Sequence, residues 1–75
     1  MKRVTIGRAE NLVVEDDFVQ AEIKVRSLTC YRGRPRVQML ATVVVPARQG
    51  ESMDDTQCRL RDELLDYLDM AQPVP

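Results

Sequence analysis

Two runs of alternating residues, joined by a short basic turn, constrain this chain more than anything else in it. From Phe18 the sequence reads FVQAEIKVRSLTCY, then RGRP, then RVQMLATVVV. Val19, Ala21, Ile23 and Val25 alternate with Gln20, Glu22, Lys24 and Arg26. A period of two is what a strand with one buried and one wetter face requires. The second run repeats it, with Val37, Met39, Ala41, Val43 and Val45 set against Arg36, Gln38, Leu40, Thr42 and Val44. Both runs are rich in β-branched residues, which fit a pleated surface. Gly33 can take a positive φ and Pro35 has no amide to donate, so the hairpin ladder is expected to end at Arg32-Gly33-Arg34-Pro35. Pro46 marks the other end.

The wetter face is not wholly polar. Phe18, Leu28, Leu40 and Val44 share the parity of the polar set. The run Val43-Val44-Val45 is apolar on both faces, as in a strand covered on both sides. These four residues are the expected dimer interface. Length favours that reading, because 75 residues make one small domain. A chain this short buries only about 60% of its unfolded surface and needs a supplement to its core. Without histidine, and with only Cys30 and Cys58, a structural zinc site within one chain is close to excluded. A bridge between the two cysteines is left open. No signal peptide or membrane span is read, so the expected location is cytoplasmic, where thiols stay reduced. Self-association remains as the supplement.

Upstream, residues 3–14 read as a first strand, with Gly7 breaking the pattern between Ile6 and Leu12 and suggesting a bulge or bend. Asp16-Asp17 reads as a tight turn. Downstream of a loop over 47–51, Ser52 reads as a helix N-cap, with Asp54 and Asp55 suited to the positive end of the helix dipole. Ser52 and Asp55 also have capping-box spacing. Met53, Gln57, Leu60, Leu64 and Leu68 then recur on one helical stripe, with Leu65 and Ala71 beside it. Arg59, Asp62, Glu63, Asp66 and Asp69 fall on the other side. The expected fold is α+β over 1–75. It is a three-stranded antiparallel meander (about 3–14, 18–31 and 36–45) with a helix at about 53–71 packed on one sheet face, and 72–75 as an extended tail. The sheet is expected to dimerise, either by its open face or by joining edge strands.

The residue types argue against catalysis. Histidine, the commonest general base near neutral pH, is absent, and the three glycines form no phosphate loop. Cys58 lies among Asp54, Asp55 and Asp62, the reverse of what activates a thiol. Cys30 lies near Arg32 and Arg34 but has no base beside it. The acidic doublets lack an oxygen-ligand loop for a hard cation. The chain therefore reads as non-enzymatic, with no cofactor and no metal.

Charge is split along the chain. Residues 1–48 sum to +4 and residues 49–75 to −5. Two candidate surfaces follow. One is the acidic helix face of Asp62, Glu63, Asp66 and Asp69, which could imitate phosphates and engage a basic partner. The other is the basic tip of Tyr31, Arg32, Arg34 and Arg36. Arg32-Gly33-Arg34-Pro35-Arg36 resembles the core of an AT-hook, in which an extended Arg-Gly-Arg-Pro segment lies in the minor groove of A/T-rich DNA. The resemblance implies that Arg32 and Arg34 insert into the groove and that Gly33 permits close approach. It covers five residues, and here the motif joins two strands instead of lying in a basic tail.

The reading that follows is a small protein-binding module, homodimeric, acting by occluding or bridging a larger macromolecule. Proteins of this kind often act as inhibitors, immunity factors or assembly accessories, and a phage or mobile-element origin would suit an inhibitor this small. The alternative is nucleic-acid binding through the basic tip, with Tyr31 stacking on a base.

Overall fold

The computed structural model of the chain describes residues 4–70. It holds six elements: β1 (Val4–Val14), β2 (Phe18–Ser27), β3 (Cys30–Tyr31), β4 (Arg34–Pro35), β5 (Gln38–Pro46) and α1 (Met53–Met70). A three-stranded antiparallel sheet in the order β1-β2-β5 carries α1 on one face, and β3-β4 form a separate small ribbon. The fold is α+β, as the alternating runs and the helical stripe imply. Residues 1–3, Ala71 and the expected tail at 72–75 lie outside the described residues.

The core follows from the alternation. Val19, Ala21, Ile23 and Val25 of β2 are buried, as are Val43 and Val45 of β5, Ala9 of β1, and Leu60 and Leu64 of α1. Ile23 and Leu60 are fully enclosed, and each contributes about 1.5–3 kcal/mol by leaving water. The helix stripe differs from the expected one at three positions. Thr56 is buried, whereas Met53 and Leu65 are exposed. Ser52 caps the helix as expected, its Oγ accepting from the Asp55 amide at 3.2 Å. The Thr56 hydroxyl is satisfied by donating to Glu51 Oε1 at 2.7 Å, which makes its burial tolerable.

The hairpin departs from the expected continuous strands. Arg26 faces Gln38, but Cys30 faces Pro35. Four steps on one side match three on the other, so one extra residue is accommodated between Ser27 and Thr29. The expected strand 18–31 is therefore interrupted after Ser27, and the expected strand 36–45 begins at Gln38. Ser27 bridges the irregularity. Its Oγ donates to Thr29 O at 2.9 Å and accepts from the Val37 amide at 3.2 Å. An odd step reverses side-chain parity along that strand. Cys30, expected on the open face, now shares a side with its partner Pro35, and it is exposed.

β1 is irregular as Gly7 suggested, and more so. Its register slips between Ile6 and Ala9 and again between Glu10 and Val13. The second slip contains Asn11 at φ 52°, a left-handed conformation that asparagine tolerates better than most residues. Asn11 Nδ2 also donates to Glu22 Oε1 at 2.7 Å. That bond relieves a cross-strand pairing of two acids, Glu10 against Glu22.

Candidate functional site

The outer edge of β5 can be read from a few hydrogen bonds. The Ala47 amide donates to Asp17 O at 3.1 Å, so it points inward, toward β2. The carbonyl of Pro46, on the same peptide group, must point outward. At the other end Val37 O accepts from the Ser27 amide at 2.9 Å, which turns the Gln38 amide outward. Both ends agree. In an antiparallel ladder the inward and outward residues alternate, so the amides and carbonyls of Leu40, Thr42 and Val44 face away from the sheet. Among the described residues no backbone group pairs with this edge. The β2–β5 register runs unbroken from Phe18↔Pro46 to Arg26↔Gln38, so the edge is straight as well as open.

The flank of α1 overlooks this edge. Arg59 Nη2 donates to the outward Pro46 carbonyl at 2.8 Å. Its guanidinium also grips Glu51, with Nε 2.8 Å from Oε2 and Nη2 2.9 Å from Oε1. Glu51 and Arg59 are only 11% and 19% exposed. Arg59, and then Thr56, hold the Glu51 carboxyl below its ordinary range by hydrogen bonding to it. Asp62, Glu63 and Asp66 line a groove with Val45, Pro46, Arg48 and Arg59. Three of the four expected acidic residues are thus brought together beside the β5 edge. Asp69 is exposed further along the helix and lines no part of this groove.

Sequence reasoning set Arg59 on the solvated side with the acids, and the structure corrects this. No helical period marks it, because its partners lie in the loop and at the strand end. The one available signal was a lone cation on an otherwise acidic flank, eight residues after Glu51.

The open sheet face carries Phe18, Leu40 and Val44, joined by Val13 and Pro46 on the same face by register. Phe18 is half-buried, while Leu40 is 56% and Val44 53% exposed. Leu28, expected with them, is exposed in the irregular stretch after β2 and does not join their register.

The basic tip is a two-residue turn. Arg32 and Gly33 take φ of 53° and 77°, the positive pair that a type I′ hairpin turn needs. Arg32 lies over the Tyr31 ring, 5.4 Å from its centroid. Tyr31, Arg34 and Arg36 line a shallow concavity with Pro35. The tip is folded back on itself, unlike the extended run that the AT-hook resemblance implies. Cys30 and Cys58 are free, exposed thiols. No described helix is long and apolar enough to cross a membrane.

No protein-family model, curated protein or solved structure matches the chain.

Proposed function

We propose that the chain is a non-catalytic protein-binding module that occludes or bridges a larger macromolecule, in the cytoplasm. The observation supporting this reading is a sheet face that no described element covers. One helix covers one side of a three-stranded sheet, and the other side presents Leu40 and Val44 to solvent beside Phe18 and Val13. Apolar patches rimmed by charge are contact surfaces more often than accidents of composition. In a homodimer the same patch would meet its own copy. Immobilised wild-type protein and a Leu40→Asp/Val44→Asp variant, both checked for folding by circular dichroism, test the reading by pull-down and mass spectrometry. A partner retained by wild type and lost by the variant supports it. The same retained set with both proteins overturns it.

The second reading is nucleic-acid binding through the tip. It is favoured by Arg32, Arg34 and Arg36, which are exposed and make no ion pair among the described residues. Such binding weakens steeply with salt. A gel shift at low salt, lost in Arg32→Ala/Arg34→Ala, would establish it, and no shift with any DNA or RNA would end it.

A further inference from the structure

We infer that the outer edge of β5 receives an extended, basic segment of another protein as an added strand. This deepens the protein-binding reading by naming a second surface and the chemistry of what it takes.

The edge provides the first half of the argument. Leu40, Thr42 and Val44 turn their amides and carbonyls outward along a straight, unbulged strand. An edge of this kind is a template for further pairing, and natural sheets blunt such edges with bulges, prolines or charges. This chain blunts only the last position. Pro46 has no donor, and its carbonyl is taken by Arg59. Between Gln38 and Val45 there is no proline, glycine or charged residue.

The helix flank provides the second half. Arg59 reaches the outward Pro46 carbonyl, so the side of α1 that carries it overhangs the edge. Asp62, Glu63 and Asp66 line that overhang, with Arg48 as the opposing charge at the loop end. Arg59 is already neutralised by Glu51. Every second side chain of an added strand would stand on the helix side of the sheet. Those side chains meet three carboxylates, so lysine or arginine at alternate positions is the complementary pattern. Ladder bonds would supply affinity in any sequence, and the acidic overhang would supply selectivity. A second copy fits poorly. Antiparallel pairing of β5 with its own copy about a two-fold axis sets both acidic flanks on one side of the joined sheet, facing each other. The carboxylates therefore act against self-pairing at this edge while favouring a basic strand.

Capped peptides of alternating arginine and valine, and of alternating glutamate and valine, test this at concentrations up to about 1 mM. Binding is followed by amide NMR shifts and hydrogen exchange on the full chain. The arginine peptide is expected to slow exchange at Leu40, Thr42 and Val44 and to bind at least roughly tenfold tighter than the glutamate peptide. Asp62→Lys/Glu63→Lys/Asp66→Lys is expected to invert that preference. Thr42→Pro, which removes an outward donor and leaves the inner ladder intact, is expected to abolish binding. If that variant unfolds, the charge inversion alone decides. The inference is overturned if neither peptide protects those amides, if both bind equally, if shifts stay on the helix, or if the free protein already pairs β5 with its own copy. A pull-down partner that depends on Leu40 and Val44 side chains would survive any of these failures, so the two readings fail separately.

Discussion

The two edges of this sheet are built on opposite plans. β1 has two slips in register, a glycine at the first and a left-handed asparagine at the second. β5 has none, and its nine residues track β2 one for one. β1 places one residue, Ala9, among the buried set, while β5 places Val43 and Val45 there. The two slips interrupt β1 as a pairing template, whereas β5 keeps an unbroken ladder to β2 with the helix packed against it. The difference leaves β5 as the one regular edge among the described strands, which is the edge the proposed strand addition uses.

This contrast can be broken from either side. The largest effect is expected in the packing of β5 against the core. Val43→Ala should cost about 1.5–3 kcal/mol in urea unfolding, since a buried side chain loses its contacts. The same change at Val14 on β1, which is 62% exposed, should stay within about 0.5 kcal/mol. Equal costs would remove the asymmetry. Next comes the bulge itself. Asn11→Val puts a β-branched residue at φ 52° and deletes the bond to Glu22, for an expected loss of about 1–2 kcal/mol.

Smaller again is the acid response of the brace at the end of β5. Arg59 lowers the pKa of Glu51 in the folded chain, so the stabilisation is present above the ordinary carboxylate range. It is lost as pH falls through the lowered value. Glu51→Gln should flatten that part of the stability–pH curve, read by thermal melts across acidic buffers. The smallest effect belongs to Gly7. A Cβ there would sit 3.6 Å from Lys24 O, an ordinary contact, and the backbone is not left-handed. Gly7→Ala should therefore be neutral, or stabilising by about 0.5 kcal/mol. A large loss would show that the first slip needs glycine.

Much of this fold could be read in the residues, because burial on one face writes a period of two and helix packing writes a period near 3.6. Val19 to Val25, Val43 with Val45, and Leu60 with Leu64 announce themselves that way. Ser52 was legible because a cap is a local transaction between one hydroxyl and a nearby amide. The extra residue after Ser27 was not. A bulge leaves no periodic trace when the stretch around it, Leu28-Thr29-Cys30, is of mixed character. The second slip in β1 was hidden likewise, since Asn11 reads as one more polar position. Of the candidate site, the acidic row was plain in the sequence. Its position over an open strand edge was not, because that depends on where Arg59 points, and Arg59 answers to Glu51 and a carbonyl thirteen residues away.

The serine at the end of β2 has a mechanical meaning. Of the four hydrogen bonds that knit the stretch between the sheet and the arginine turn, two run through its single hydroxyl. The orientation of the turn thus depends on one side chain as much as on the backbone. Loosening that joint, as Ser27→Ala would, should let the three guanidinium groups sweep a wider arc while the platform beneath the helix keeps its melting temperature.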